Sequence, residues 1–222
     1  MESLTPTQQK IRRVAEYFLW ARQQDFTYWF TGKWGRSKMI EYNLPRMVEK
    51  GAITAVRFGR HLVYSAGKKR ANNTADIEHG LISTEGLLRV KTAKSGEIIS
   101  ENFFRAINLG SVPEWGVIYA KKLFLFEYGT ADNFRRTRLM KKKVETYAKV
   151  LGKFRRYFGK EPIVLFVFDA EPYKVRHFVG KYGRHECFYF CDLASFKNVN
   201  WGEQLVAPLY YWLDGERYSL TS

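Results

Sequence analysis

The amino-acid sequence predicts an α/β protein, α+β overall, with a small basic helical unit closed by a β-hairpin and then a larger unit built on a mixed sheet. The first observation is the positive charge of residues 1–70, which carry 14 basic and 5 acidic side chains. Two short β-rich runs around Gly59-Arg60-His61 are the second, and they predict the hairpin. Beyond residue 74, apolar β runs alternate with helical patterns, which predicts parallel strand pairs covered by helices.

The composition limits the class of protein. The 222 residues include 17 Phe, 14 Tyr and 6 Trp, an aromatic content that excludes a disordered chain. A net charge of +15 exceeds what solubility needs and predicts a polyanionic partner, either nucleic acid or an anionic membrane. No apolar run approaches the ~20 residues of a membrane span, and the N-terminus lacks a signal-peptide core. We therefore expect a soluble cytoplasmic protein with no membrane partner.

The two cysteines are expected to be small core residues. Cys187 and Cys191 lie four apart in a predicted strand, which separates them by about 13 Å and is too far for a disulfide. His185 lies nearby, but no fourth ligand stands at zinc-finger spacing, so a metal pair is not favoured.

The first unit opens with helical patterns. Thr5 and Gln8 form a capping-box pattern, and the apolar spacing after them predicts a helix to about Ala21. A short aromatic helix around residues 26–30 follows, and a basic segment at 33–38 leads into a helix over residues 39–50. Gly51 is placed to end that helix, whereas Pro45 inside it should kink or shorten it.

Three helices closed by a β-hairpin make a winged helix-turn-helix, which we place at residues 1–68. In that architecture the third helix enters the major groove of DNA, and the hairpin, or wing, reaches the adjacent backbone or minor groove. The side chains expected to contact DNA from this helix and its approach are Arg36, Lys38, Tyr42 and Arg46. Those expected on the wing are Arg57, Arg60 and His61. A winged helix used for protein contacts is the alternative, and the charge of the unit argues against it.

A polar, turn-rich stretch at residues 67–74 is the predicted boundary, and the second unit occupies residues 75–222. Its predicted elements are helices over 76–90, 133–158 and 171–181 and strands over 117–119, 123–126, 163–168 and 187–193. Gly80 and Gly86 weaken the first of these helices. The run at 163–168 is apolar throughout, as is typical of a strand in the centre of a sheet.

The helix over 133–158 carries two patterns. An apolar stripe that would pack on the sheet consists of Met140, Val144, Tyr147, Leu151, Phe154 and Phe158. Away from it, cations recur every seven residues: Arg135, Lys142, Lys149 and Arg156. Residues 135–160 hold eleven basic side chains and one acid, Glu145, whereas a solvated face normally mixes both signs. We expect a second DNA contact along this helix, with a merely solvated face as the alternative.

Two carboxylates fall opposite each other on the predicted strand pair. If the turn is at Ala120-Lys121, Tyr119 pairs with Lys122, and Glu114 lies opposite Glu127. Opposed like charges are destabilising on a sheet unless a cation lies between them. One interpretation is therefore a metal site formed by the two glutamates. In the other, Glu114 is a surface residue and Glu127 pairs with a neighbouring Arg or Lys. The sequence favours neither over the other.

Short motifs at residues 77–81 (IEHGL), 113–114 (PE), 126–130 (FEYGT), 143–147 (KVETY) and 164–169 (VLFVFD) together resemble the replication-relaxation family. Members of that family occur on plasmids and integrative conjugative elements. The motifs are short, but they extend over most of the chain. The resemblance implies a winged helix followed by a restriction-endonuclease-like domain.

That family is similar to the PD-(D/E)XK nucleases, in which two acids and a lysine hold Mg²⁺ and activate water to cleave a phosphodiester. The resemblance places Glu114 at the first acid and Glu127 at the second, both as metal ligands and catalytic residues. Gly129 stands where the lysine is expected. Mg²⁺ is the cofactor implied if such a site is active, and no cofactor is implied otherwise.

The helix after the strand pair offers a replacement for that lysine. Lys143 and Tyr147 match the spacing of the Gln-x-x-x-Tyr variants of these nucleases, so Lys143 is the candidate third catalytic residue. Glu78 or Glu85, on the first helix of the domain, would add a further metal ligand under the same resemblance.

These patterns and the resemblance predict a protein that binds double-stranded DNA of a plasmid or conjugative element. It would act in replication or DNA processing at an origin, together with replication or relaxase proteins. An absent lysine usually marks a nuclease-like domain kept for binding, so binding is favoured over catalysis. The alternatives are an active Mg²⁺-dependent endonuclease and a winged-helix transcriptional regulator whose second domain senses a ligand or forms a homodimer.

Overall fold

The structure is a computed structural model that describes residues 3–66, 74–93, 96–119, 121–131, 137–182, 185–198, 210–213 and 216–219. In these residues it is a mixed α and β protein with eight helices and two sheets. The chain divides into two compact units, Met1–Leu88 and Arg89–Ser222. The predicted boundary at 67–74 falls almost entirely outside the described residues, and the observed division comes later, within a helix.

The first unit contains helices and a small sheet. Its helices are α1 (Pro6–Ala15), α2 (Gln23–Thr31), α3 (Lys38–Glu49) and most of α4 (Thr74–Ala93). Its strands are β1 (Ala21–Arg22), β2 (Thr54–Phe58) and β3 (His61–Ser65), which pair antiparallel in the order β1-β3-β2. The predicted hairpin is confirmed, because Phe58 pairs with His61 across a two-residue turn in which Gly59 has φ +56°.

The start of α1 agrees with the prediction and its end does not. The backbone N–H of Gln8 donates to the Thr5 hydroxyl at 3.3 Å, and the Thr5 N–H donates to the Gln8 side chain at 3.1 Å, so the capping box is present. The helix ends at Ala15, however, and not near Ala21. Ala21 belongs to β1 and pairs with Tyr64, so strand pairing overrides the helical spacing of the residues between.

Helix α3 lies within one residue of the predicted helix at each end and is not shortened by Pro45. It ends in a Schellman motif, in which the Ala52 N–H donates to the Met47 carbonyl at 2.8 Å and the Gly51 N–H donates to the Val48 carbonyl at 2.9 Å. Gly51 adopts φ +66°, so the predicted glycine stop is confirmed.

Helix α4 continues through both of the glycines that weaken its prediction. At Gly80 the reason is packing, because a Cβ there would lie 2.6 Å from Trp20 Cδ1. Trp20, Ile77, Leu81 and Val63 form a buried apolar cluster in the first unit. The glycine lets α4 approach the tryptophan, and this contact compensates the lower helix propensity.

The second unit is built on a seven-stranded sheet in the order β10-β9-β8-β7-β6-β5-β4. Its strands are β4 (Glu97–Ser100), β5 (Trp115–Tyr119), β6 (Lys122–Gly129), β7 (Glu161–Phe168), β8 (Phe188–Asp192), β9 (Tyr210–Leu213) and β10 (Glu216–Ser219). Its helices, after the end of α4, are α5 (Glu101–Ile107), α6 (Thr137–Phe158), α7 (Pro172–Tyr182) and α8 (Leu193–Asn198). Strands β6 to β9 are parallel and the outer pairs antiparallel, so the predicted mixed sheet is confirmed.

Strands β6 and β7 form the centre of this sheet, and every residue of each after the first is buried. The apolar stripe of α6 packs in the same core, which includes Met140, Val144, Tyr147, Leu151, Phe154 and Phe166. This packing fixes the face that α6 turns towards the sheet, and with it the direction of every polar side chain on the helix.

Two smaller expectations can be compared with the structure. Cys187 and Cys191 are both buried and form no disulfide, as predicted. Among the described helices, none combines the length and the apolar character needed to cross a membrane.

Candidate nucleic-acid interface and carboxylate cluster

Helix α3 divides into a buried and an exposed face. Ile40, Asn43, Leu44 and Met47 are buried at spacings of three, one and three, which fixes the helix on the core of the first unit. Lys38, Tyr42 and Arg46 recur every four residues on the opposite, exposed face. The three residues that the sequence predicts for DNA contact on this helix are thus aligned and open to solvent.

Tyr42 and Arg46 form a stacked pair on this exposed face. The Arg46 guanidinium carbon lies 3.3 Å from the centre of the Tyr42 ring, and an Arg46 Nη1–H donates to the Tyr42 carbonyl at 3.2 Å. Tyr42 remains 59% exposed. A guanidinium held over a ring keeps its outer N–H groups available, which suits it to a phosphate or a guanine edge.

A groove of about 830 Å³ lies beside the β2–β3 hairpin, the start of α2 and the turn before α3. Four arginines and a histidine contribute to its lining: Arg22, Arg36, Arg57, Arg60 and His61. No acidic side chain is among the described residues that line it. Arg36 pairs with Glu41 at 3.7 Å, but its side chain is 90% exposed, so the pair is weak and a phosphate can replace the carboxylate.

Two features of this surface are absent from the sequence-based prediction. Arg22 reaches the groove because β1 pairs with β3, about forty residues further along the chain, and no local pattern signals that pairing. Trp34 is 46% exposed and stacks on Tyr28 with ring centres 4.2 Å apart. A large exposed aromatic in a basic segment was the available signal for Trp34.

The cations of α6 are only partly as predicted. Lys142, Lys149 and Arg156 are exposed and form no ion pair with any described residue, while Arg135 lies outside the described residues. Their neighbours are paired: Lys141 with Glu145 at 3.5 Å, and Arg155 with Glu161. The surface of α6 therefore keeps an unpaired basic line with ion pairs beside it.

The strand register around the two glutamates agrees with the prediction. Tyr119 pairs with Lys122 and Trp115 with Phe126, as the predicted turn requires, and Glu114 directly precedes this strand pair. Glu114 is 6% exposed and is fixed by the backbone: its Oε1 accepts the Tyr128 N–H at 3.1 Å, and its own N–H donates to the Phe126 carbonyl at 3.1 Å. The interpretation of Glu114 as a surface residue is wrong.

Glu127 is fully buried on β6 and is held from α6. The Lys143 ammonium pairs with its Oε2, and the Tyr147 hydroxyl donates to its Oε1. Lys143 and Tyr147 are four residues apart and therefore lie on one face of α6. The structure thus brings together Glu114, Glu127, Lys143 and Tyr147, a group that we call the carboxylate cluster.

Burial and charge act against each other on the pKa values in this cluster. Burial raises the pKa of Glu127 to about 7, although Lys143 lowers it, and Glu114 raises it further. Burial lowers the pKa of Lys143, but the Glu127 and Glu114 carboxylates outweigh it, and the net change is upward. Burial and the Glu127 carboxylate hold the pKa of Tyr147 well above its usual range. Lys143 and Tyr147 therefore stay protonated near neutral pH.

Packing around Gly129 explains why β6 carries no lysine at this position. A Cβ at this position would lie 2.8 Å from Phe168 Cδ1 and 3.2 Å from Met140 Cε. The space beside the strand is filled by core side chains, so a lysine does not fit there. The only amine placed on Glu127 by the described residues comes from Lys143.

The residues of this cluster do not fit Mg²⁺ as they are arranged. A hard cation needs carboxylate oxygens that are available to it. Both oxygens of Glu127 are engaged, by Tyr147 and by the Lys143 ammonium, which already supplies the compensating positive charge. In the described ranges, no three His, Cys, Asp or Glu side chains lie together in a way that would hold an ion.

The two further ligand candidates lie in the other unit. Glu78 and Glu85 belong to the part of α4 that clusters with residues 1–88. Glu78 is exposed, and Glu85 contributes to raising the pKa of buried Asp25, whose pKa rises to about 6 mainly through burial. Neither glutamate is among the groups that shift the pKa of Glu127.

Neither the family models, the curated proteins nor the solved structures to which the chain was compared give a match.

The raised pKa of Glu127 has a measurable consequence for stability. Its carboxyl has an ordinary pKa of 4.5 and a pKa of about 7 when folded, so the folded protein binds the extra proton between these values. The free energy of unfolding should therefore fall as the pH rises through this window and then level off. Thermal unfolding of Glu127→Gln, followed from pH 4 to 8, should lack this fall. If stability depends on pH equally in the wild type and in Glu127→Gln, the raised pKa of Glu127 is contradicted.

Proposed function

We propose that the chain is a DNA-binding protein whose first unit is a winged helix. The observation that carries the proposal is the groove beside the hairpin, in which Arg36, Arg57, Arg60 and His61, predicted separately for DNA contact, share one lining with Arg22. Cations gathered in a concave surface without acids strengthen one another's attraction for a polyanion. The exposed face of α3 lies in the same unit.

In this proposal α3 enters the major groove. Its exposed residues Lys38, Tyr42 and Arg46 would face the bases and the flanking phosphates, and the β2–β3 hairpin would follow the adjacent backbone. The arginines supply most of the affinity through phosphates, and the side chains that reach base edges supply sequence preference.

We further propose that the second unit is a nuclease-like domain retained for DNA binding, as the resemblance to the replication-relaxation family implies. Two observations support it: Glu127 is neutralised by Lys143, and α6 carries a basic line that forms no ion pair with the described residues. The protein would then act on plasmid or conjugative-element DNA at an origin, with replication or relaxase proteins as partners.

The proposal is tested by duplex binding at increasing salt. The logarithm of the association constant should fall linearly with the logarithm of salt concentration, by about 0.9 for each phosphate neutralised. Fluorescence anisotropy with a labelled duplex, repeated at several salt concentrations, measures the association constant and its salt dependence. A protein that shows no duplex binding at low salt would exclude the proposed function.

The basic line of α6 predicts a further loss of binding. Lys142→Glu with Lys149→Glu leaves the apolar stripe intact, so the variant should fold, and it should bind non-specific DNA more than about tenfold more weakly. Lys10→Glu with Lys121→Glu makes the same change in net charge elsewhere and is the control. If both pairs reduce affinity equally, only the total charge matters and α6 is a solvated face.

An active nuclease is the second candidate, because Lys143 places an amine on the second glutamate as the missing lysine would. We expect no cleavage of duplex or single-stranded DNA with Mg²⁺ or Mn²⁺, since the oxygens of Glu127 are already engaged. Nicking assays compare the wild type with Glu127→Gln and Lys143→Ala. Metal-dependent nicking that both variants lose while still binding DNA would establish the nuclease instead.

A further inference from the structure

A second cavity, of about 1270 Å³, lies beyond the carboxyl ends of β6 and β7 in the second unit. Ala131 follows β6, Asp169 and Ala170 follow β7, and α7 supplies most of the remaining lining. Crevices at the carboxyl ends of parallel strands are the usual ligand sites of such sheets, and the volume is sufficient for a small-molecule ligand. None of the residues of the carboxylate cluster lines this cavity.

One face of α7 supplies the cations of the cavity. Lys174, His177 and Lys181 are spaced by three and four residues, so they lie on the same side of the helix, and all three are exposed. Lys174 pairs with Glu171 at 2.8 Å, whereas Lys181 forms no ion pair with a described residue. The ammonium groups are positioned for an anionic group, and an exposed ion pair such as that of Lys174 opens at little cost.

Aromatic rings stand beside these cations. Tyr173 is 66% exposed, with the Lys174 Nζ 5.4 Å from its ring centre. Tyr182 has Lys181 Nζ at 5.5 Å and Lys141 Nζ at 5.6 Å from its ring centre, and it packs against Phe178 at 5.0 Å. The exposed ring of Tyr173 and the half-buried ring of Tyr182, each next to a lysine, offer stacking surfaces for a nucleobase attached to a phosphate.

Two acids contribute to the lining, Asp169 and Glu171, and Glu171 is the one that pairs with Lys174. Asp169 follows β7 directly, with its N–H bound to the Gly129 carbonyl at 2.9 Å. The Asp169 carboxylate would repel a simple inorganic anion. The ligand must therefore also carry N–H or O–H groups that donate hydrogen bonds to Asp169. Base amino groups, ring N–H groups and sugar hydroxyls are such donors.

We propose that this cavity binds a nucleotide unit. Its phosphate is held by Lys174 and Lys181, its base stacks on Tyr173 or Tyr182, and Asp169 accepts a hydrogen bond from the base or sugar. The nucleotide is either free or part of a single strand of nucleic acid. The site does not depend on duplex binding by the first unit.

Photo-crosslinking tests the proposal, with two probes that separate the sources. Iododeoxyuridine monophosphate represents the free nucleotide, and a short oligothymidylate with one internal iododeoxyuridine represents the single strand. After irradiation of the full chain, mass spectrometry should locate the crosslink at Tyr173 or Tyr182. Crosslinking by both probes indicates that the nucleotide alone is sufficient, and crosslinking by the oligomer only indicates a single strand.

Charge variants provide the control. Lys174→Ala with Lys181→Ala should reduce the crosslink yield at these tyrosines at least about tenfold, because the phosphate loses both charged donors. Lys121→Ala, an exposed lysine at the opposite end of β6, should change it less than about twofold. Crosslinks absent from both tyrosines with both probes, or insensitive to the double variant, would overturn the nucleotide site. Duplex binding measured on the same proteins tests the proposed function separately.

Discussion

Replacing Arg36, Lys38 and Arg60 together by alanine is expected to weaken duplex DNA binding by about a hundredfold at about 0.1 M salt. Arg36 and Arg60 line the groove beside the hairpin, and Lys38 begins the exposed face of α3. All three side chains are exposed, so their loss should leave folding unchanged. If each contacts a phosphate, the salt dependence should also flatten by up to about three units of log–log slope.

The matched control removes three charges from other exposed positions: Lys10, Arg13 and Lys121, each changed to alanine. Anisotropy titrations over a range of salt concentrations give affinity and slope for both triple variants. The control should retain a steeper slope than the groove variant. If the groove variant keeps the affinity and salt dependence of the wild type, this surface is not part of the DNA interface. If both triple variants lose the same affinity, the effect is one of net charge alone.

Replacing Lys143 by methionine is expected to destabilise the second unit by about 2 kcal/mol at pH 9. Glu127 is fully buried, and the variant leaves its carboxylate without a counter-ion. Breaking an enclosed pair costs about 3–5 kcal/mol, and we expect a smaller loss here because Lys143 is 35% exposed and water screens the pair. Urea unfolding, followed by circular dichroism, measures the difference.

The pH dependence of this loss has a defined sign. Without Lys143, the pKa of Glu127 should rise beyond its already elevated value of about 7, because the attraction that lowers it is gone. The Glu127 carboxyl of the variant then takes up a proton at neutral pH. The difference in unfolding free energy between the variant and the wild type should therefore be small near pH 6 and grow as the pH rises through the pKa of Glu127 in the folded protein.

Two further variants isolate the ion pair. Glu127→Gln added to Lys143→Met removes the buried charge and should restore most of the stability at pH 9. Lys142→Met, at the exposed neighbouring position, should have no comparable effect. If Lys143→Met is as stable as the wild type at pH 9, the pair seen in the structure is not made by an ionised Glu127.

Local sequence patterns were sufficient for several elements. The Thr5 capping box, the Gly51 stop and the hairpin around Gly59 each depend on residues close together in the chain, and all three are present. The register of β5 and β6, which brings Glu114 near Glu127, also follows from one tight turn. The four-residue spacing of Lys143 and Tyr147 placed both on one helix face, and that face meets Glu127.

Contacts between distant parts of the chain decided the rest. Helix α1 ends early and Arg22 enters the groove because β1 pairs with β3, which no pattern near residue 21 encodes. The burial of Glu114 and the tight space at Gly129 depend on the strands and helix packed around them. The sequence by itself determined the start of α1, the end of α3, the hairpin, the register of β5 and β6 and the excess of positive charge, because these follow from backbone geometry and composition. Only the tertiary structure decided which charges are buried, which are paired and which share a groove, because burial and pairing depend on neighbours that folding brings from elsewhere in the chain.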